Sequence, residues 1–209
     1  NQQGDSTAVV FLVKILVILF IISLAELMFS HGAWAWGPAV HTAISCDILA
    51  SCTRILPAVA VAIRAFPNEY VYGAISADFF LGKGQKKKKG HSHNWETGFT
   101  FLEKANGDKE AAYAYGFLSH LAADVVAHNY FVPDLICRAS IGKRLGHIYS
   151  EAVADRFVDP EYLKIARDVL SLDHLDYDKH LRSAAVRNGY GLRAKKHIFA
   201  QSVRVSDYL

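Results

Sequence analysis

The segment from Asp108 to Phe131 constrains the fold of this chain more than any other part of the sequence. It is rich in alanine, it starts with an aspartate suited to capping a helix, and it ends shortly before Pro133, so it predicts one long helix. His120, Asp124 and His128 occupy positions i, i+4 and i+8 of that helix. A helix places such residues on one face. A face of imidazole and carboxylate groups predicts a metal site.

The rest of the chain after residue 35 also has helical patterns. Gly37 and Pro38 suit the start of a helix that continues from Ala39 to Cys52. No segment alternates between apolar and polar residues as a strand does, and we find no internal repeat. The sequence therefore predicts an all-α fold, a compact helical bundle over residues 36–209. Further helices are predicted over Ile55–Phe66, Ile141–Val158, Glu161–Leu172 and Arg193–Val205, and loops over Asn68–Gly90 and Asp173–His180.

The first 35 residues contain a long apolar stretch, from Ala8 to Phe29. The part between its charged residues, Ile15–Ala25, is shorter than the ~20 residues that a membrane-spanning helix needs. Residues 33–35, Ala-Trp-Ala, have the small-x-small pattern of a cleavage site. We therefore predict that residues 1–35 are a signal peptide and that the protein is exported, either secreted or periplasmic. The alternative is an uncleaved N-terminal helix that anchors the protein to the membrane.

The chain is only mildly basic, with a formal net charge of +3. Its one dense basic patch, Lys86–Lys89, lies among glycines and predicts a solvated loop in preference to a nucleic-acid groove. Because the patch precedes a pair of histidines, it also offers peripheral contact with an anionic membrane or an anionic substrate. We expect no stable nucleic-acid partner. The three cysteines are too few and too dispersed for a disulfide framework or a cysteine-type zinc site.

A second pair of candidate ligands follows the long helix. His147 and Glu151 repeat the i, i+4 spacing on the next predicted helix. An isolated pair of this kind is more often a capping or surface hydrogen bond. Two such pairs on consecutive helices favour a metal site inside the bundle.

The remaining candidates precede the long helix. Asp78 lies among aromatic residues, where an uncompensated carboxylate is costly to bury, so it either caps a helix or binds a cation. His91 and His93 follow it and favour the cation. His41 lies in the first helical turns after the predicted cleavage site, and cleavage there would give Trp36 a free α-amine.

Five motifs occur in order along this part of the chain: WGPAVH, ADFF, HSHNW, HLAADVVAH and HIYSE. This ordered set, from Trp36 to about Asp155, resembles the zinc-dependent phospholipase C family, whose fold is shared with zinc-dependent single-strand nucleases. The resemblance implies a helical domain that binds two to three zinc ions in a cleft between helices and hydrolyses a phosphodiester.

The resemblance also implies which residues bind zinc. Asp124 would bridge two ions, and Asp78 is the candidate for orienting or deprotonating the attacking water. His91 and His93 compete for one position, and the Asn94–Glu96 run that follows favours His93. The implied ligand sets are Asp78, His93 or His91, His120 and Asp124 for one ion; His128, His147 and Glu151 for another; and Trp36, through its amine and carbonyl, with His41 and Asp124 for the third.

The proposed ligand set itself favours hydrolysis of a phosphoester. Its three carboxylates, Asp78, Asp124 and Glu151, do not neutralise three divalent ions, so the site would stay cationic and attract a phosphate. We expect a phospholipase C-like enzyme that acts on phospholipid headgroups. The alternatives are a single-strand nuclease or nucleotidase, in which aromatic residues near the zinc ions would stack bases, and a zinc-binding module without turnover.

Overall fold

The structure, a computed structural model, describes residues 36–79, 94–131, 133–134, 137, 154–184 and 191–206. All regular structure over these residues is helical, and they contain no strand, so the all-α prediction is confirmed. None of the helices described is both long and apolar enough to cross a membrane. The helices are α1 (Pro38–Ala50), α2 (Pro57–Ala65), α3 (Pro67–Ser76), α4 (Trp95–Glu103), α5 (Asp108–Val126), α6 (Glu161–Ser171), α7 (Leu175–Ala184) and α8 (Leu192–Ser206).

Three of these helices begin with proline. Pro38, Pro57 and Pro67 lie in the first turns of α1, α2 and α3, where the fixed φ of proline suits a helix and its missing N–H has no intrahelical partner to lose. The helix predicted over Ile55–Phe66 therefore begins at Pro57. The loop predicted over Asn68–Gly90 is wrong in its first part, because residues 68–76 belong to α3.

Helices α3 and α5 form the most extensive helix pair of the core, and two glycines allow them to approach closely. A Cβ at Gly73 would lie 2.0 Å from the carbonyl oxygen of Tyr113, and a Cβ at Gly116 would lie 1.9 Å from that of Tyr70. Only glycine leaves this space to the neighbouring backbone. The crossing brings the turn that follows α3 beside the C-terminal half of α5.

The long predicted helix is present, with two differences from the prediction. Its α-helical part ends at Val126, and a π-helical turn, Ala127–Phe131, completes it. Its N-cap is Gly107, and Asp108 does not act as the cap. Asp108 instead lies in the first turn, where a negative charge favours the helix dipole.

The C-terminal part contains a helix that the sequence did not predict. Residues 173–180 were predicted as a loop. Residues 173 and 174 precede α7, and residues 175–180 form its first part. Asp173 Oδ1 accepts a hydrogen bond at 3.0 Å from the backbone N–H two residues later, which caps the helix start. His174, Tyr177 and Leu181 are buried at intervals of three and four residues, so this charged segment has one core-facing side. The last predicted helix is confirmed as α8.

Candidate metal centre

Three of the predicted ligands, His41 on α1 and His120 and Asp124 on α5, lie together. Asp124 Oδ1 is 3.5 Å from His41 Nε2, and Asp124 Oδ2 is 3.5 Å from His120 Nε2. The two imidazole rings stack with their centroids 3.9 Å apart. The three residues are only 2%, 1% and 7% exposed. One carboxylate therefore faces two buried imidazoles, each through a different oxygen.

Two further predicted ligands lie around this group. Asp78 is on the 3-10 turn Ala77–Phe79, directly after α3, and is also buried. Its Oδ1 is 3.7 Å from His120 Nε2, a position that depends on the close crossing of α3 and α5. His128, on the π-helical turn, is partly exposed and has its Nε2 4.0 Å from Asp124 Oδ2. Such turns are frequent at functional sites.

Trp36 lies beside the same group. Its ring centroid is 6.4 Å from that of His41 and 5.9 Å from that of Phe131. The structure thus places the predicted N-terminal residue of the mature protein next to a predicted ligand. Participation of the Trp36 amine and carbonyl in metal binding stays a prediction.

Asp155 also belongs to the surroundings of the site, although it was not among the predicted ligands. Its carboxylate accepts hydrogen bonds from the backbone N–H groups of Ala39, at 3.4 Å, and Val40, at 3.1 Å. Burial raises the pKa of Asp155 to about 6, while these hydrogen bonds and His41 act in the opposite direction. A signal was present in the sequence: Gly37 has no side chain with which to cap α1, so an acceptor from elsewhere was needed.

The group of His41, His120 and Asp124 fits a zinc ion. Burial lowers the pKa of His41, as does His120, while Asp124 opposes them, and a neutral imidazole is the form that binds metal. His41 Nε2 is buried and has no hydrogen-bond partner within the part of the chain that the structure describes. Tetrahedral zinc ligands at ~2.0–2.2 Å from the ion are roughly 3.3–3.6 Å apart. The two separations of 3.5 Å across Asp124 agree with that spacing.

Four predicted ligands lie outside the described residues: His91, His93, His147 and Glu151. The choice between His91 and His93, and the second set of ligands around His128, therefore stay predictions. The predicted signal peptide, residues 1–35, and the basic patch Lys86–Lys89 also lie outside the described residues.

Comparison with known protein families identifies the family of this chain. The family model described as zinc dependent phospholipase C matches residues 40–199, well over half of the chain. The match includes His41, Asp78, His120 and Asp124, and it begins after Trp36. Neither the curated proteins nor the solved structures include a match to this chain.

Proposed function

Because the chain belongs to the zinc-dependent phospholipase C family, as its ordered motifs predicted, we propose that it hydrolyses phospholipids and releases their phosphorylated headgroups. The family and the buried histidine and aspartate group together support a zinc-dependent phosphoesterase. The observation that carries the proposal is the position of Asp124 between His41 and His120. Two stacked imidazoles and one carboxylate supply nitrogen and oxygen ligands of the kind that zinc binds.

His41, His120 and Asp124 would hold zinc, and each carboxylate oxygen of Asp124 faces a different histidine. When bound, zinc supplies a Lewis acid for the phosphoryl group and lowers the pKa of water at the site to about 7. We propose two to three ions per chain, as the full predicted ligand set implies.

Asp78 is the proposed catalytic residue. Its buried carboxylate lies on the His120 side of the site, with Oδ1 3.7 Å from His120 Nε2. In this position Asp78 would orient the attacking water and accept its proton. The oxygen of that water would form a bond to phosphorus while the bond between phosphorus and the leaving oxygen breaks, and the leaving oxygen would take up a proton from Asp78 or from solvent.

Exposed aromatic residues near the site also suit the alternative function, a single-strand nuclease or nucleotidase. Tyr130 is 71% exposed, and Phe131, which contacts Trp36, is 36% exposed. Aromatic side chains of this kind can stack on nucleobases, but they can equally contact the acyl and headgroup regions of a lipid. The substrate assay below separates these two uses.

The test is a parallel assay of zinc-loaded protein on phosphatidylcholine vesicles and on single-stranded DNA. We expect headgroup release to exceed DNA cleavage, and we expect Asp124→Asn to abolish it. Asp176→Asn, in an exposed pair with Lys179 on α7, is the matched control and should keep full activity. Faster cleavage of DNA would favour the nuclease. Zinc binding without turnover on either substrate would leave a zinc-binding module.

The proposal has two further parts that rest on the sequence. Removal of residues 1–35 during export would free the α-amine of Trp36 to bind the third ion, since an internal peptide nitrogen has no available lone pair. A protein that begins at Trp36 should therefore bind more zinc than one with a single glycine added before it. Lys86–Lys89 would provide peripheral contact with anionic membranes, so serine substitutions there should lower activity on anionic vesicles more than on a soluble phosphodiester.

A further inference from the structure

The first turn of α1 carries His41 into the metal centre but does not cap itself. Its N-cap is Gly37, and no side chain within the turn accepts a hydrogen bond from the first backbone N–H groups. Every helix start leaves such N–H groups without intrahelical partners. The backbone just before His41 therefore depends on an acceptor from another part of the chain.

Asp155 supplies that acceptor from 116 residues beyond Ala39. Its two carboxylate oxygens accept from consecutive backbone N–H groups, Oδ2 from Ala39 at 3.4 Å and Oδ1 from Val40 at 3.1 Å. Val40 is the residue before His41. The carboxylate thus fixes the backbone orientation from which the imidazole of His41 extends toward Asp124.

The space in front of Gly37 gives independent evidence for the same contact. A Cβ at Gly37 would lie 2.1 Å from Asp155 Oδ2, and the three atoms nearest to it all belong to the Asp155 carboxyl group. The backbone of Gly37 is extended, with φ −84° and ψ −179°, so any residue could adopt it. Glycine is needed there to leave space for the carboxylate, and backbone conformation does not require it.

We propose that Asp155 is a positioning residue of the metal centre: it holds the first turn of α1 so that His41 meets Asp124 and His120, and in this way it raises the affinity for zinc. The proposal rests on the zinc centre of the proposed function. Groups that orient metal ligands without touching the ion typically change metal affinity about 10–100-fold when they are removed. In the sequence, Asp155 also follows the segment that carries His147 and Glu151.

The test compares two carboxylates that each cap a helix start. Asp159, four residues later, accepts a hydrogen bond at 2.9 Å from Glu161 N–H at the start of α6 and is exposed. Zinc affinity is measured without substrate, by competition with a chromophoric chelator, and thermal unfolding is measured on the metal-free proteins. We expect Asp155→Ala to weaken zinc binding by about 10-fold. Asp159→Ala should lower the thermal unfolding temperature but leave zinc affinity unchanged.

Two more variants test the contact from its other side. Asp155→Asn keeps one acceptor oxygen and should show an intermediate loss of affinity even if Asp155→Ala folds poorly. Gly37→Ala should weaken zinc binding because its Cβ displaces the carboxylate. In the Asp155→Ala background that Cβ has space, so adding Gly37→Ala should cause little further loss. Independent, multiplicative effects of the two substitutions would contradict the proposal.

The inference and the proposed function fail in different ways. If Asp155→Ala and Asp155→Asn unfold at lower temperature but bind zinc as tightly as the wild-type protein, Asp155 is only a helix cap and the inference is overturned. If the wild-type protein binds zinc but hydrolyses no phosphoester, the proposed function is wrong, and the affinity data still decide the role of Asp155. If the wild-type protein binds no zinc, both are overturned.

Discussion

The group around His41 and the group around His174 are built from the same kinds of residue. In each, a buried imidazole stacks on another ring: His41 on His120, with centroids 3.9 Å apart, and His174 on Tyr72, with centroids 3.5 Å apart. In each, burial lowers the pKa of the histidine. Each group also includes an aspartate: Asp124 beside His41 and Asp178 beside His174. Residue type and burial therefore do not distinguish them.

The partners of the polar atoms do distinguish the two groups. His174 Nε2 donates to the carbonyl of Val169 at 2.8 Å, although its Nδ1, like His41 Nε2, is buried without a hydrogen-bond partner among the described residues. Asp178 accepts from the Tyr72 hydroxyl and, at 2.8 Å, from Lys196 Nζ. Near His41, the imidazole and carboxylate atoms face each other at 3.5 Å, beyond ordinary hydrogen-bond distance but suited to two ligands of one ion. The comparison predicts that only the first group responds to zinc.

The largest effect should follow from removing the shared carboxylate. Asp124→Asn keeps the shape of the side chain but removes the charge that faces both imidazoles. We expect zinc affinity and phosphoesterase rate to fall by more than the about 10–100-fold typical of residues that only orient a ligand. Chelator competition and headgroup release measure the two losses. If Asp124→Asn changes zinc affinity and phosphoesterase rate only slightly, Asp124 does not bind metal.

Zinc should also stabilise the fold, because the ligands come from separate helices. At a free zinc concentration of 100 times Kd, binding to the folded state alone adds about 2.7 kcal/mol to the free energy of unfolding. Urea unfolding with and without zinc measures this increment. His41→Ala should reduce it strongly, whereas His174→Gln should keep it. A zinc-dependent increment that persists in His41→Ala would place the ion elsewhere.

The group around His174 should respond in the opposite way. Lys196→Met removes the cation paired with Asp178, a part-buried ion pair, and leaves the carboxylate with the hydrogen bond from the Tyr72 hydroxyl. We expect a loss of about 2 kcal/mol in the free energy of unfolding with zinc affinity unchanged. Weaker zinc binding in Lys196→Met would show that the two groups are coupled.

The smallest expected effect is the pH dependence that His174 contributes. The pKa of His174 is lowered, first by burial and then by Lys196, while its bond to Val169 and the charges of Asp178 and Glu69 oppose this. Below about pH 6.5 the His174 side chain binds a proton in the unfolded chain, whereas in the folded protein it stays neutral to lower pH. Its contribution to stability is therefore complete above that pH and decreases as the pH falls. In metal-free protein, His174→Gln should flatten the acid side of the plot of unfolding free energy against pH; an unchanged slope would contradict this.

The sequence was most informative where the candidate residues share one helix. His120, Asp124 and His128 lie at regular spacing, so their common face followed from helical geometry alone. The proximity of Asp78 to His120 depends instead on the crossing of α3 and α5 at Gly73 and Gly116. A spacing pattern within one segment does not specify such a crossing.

Other features were missed for identifiable physical reasons. The charged residues of α7 concealed the intervals of three and four between its buried side chains, so a helix was predicted as a loop. Helix α3 was missed because the glycines and lysines of residues 68–90 were interpreted as marking a loop, whereas Gly73 allows close helix packing. The contact of Asp155 with α1 joins residues 116 positions apart. Only the folded chain brings them together.

The most direct test of the zinc centre is X-ray diffraction from crystals of zinc-loaded protein, recorded on both sides of the zinc absorption edge. We expect anomalous peaks beside the carboxylate of Asp124, one at about 2.0–2.2 Å from His41 Nε2 and one at the same distance from His120 Nε2. We expect no peak at Asp178. Anomalous peaks that lie away from these three residues in active, zinc-loaded protein would show that the catalytic zinc binds elsewhere.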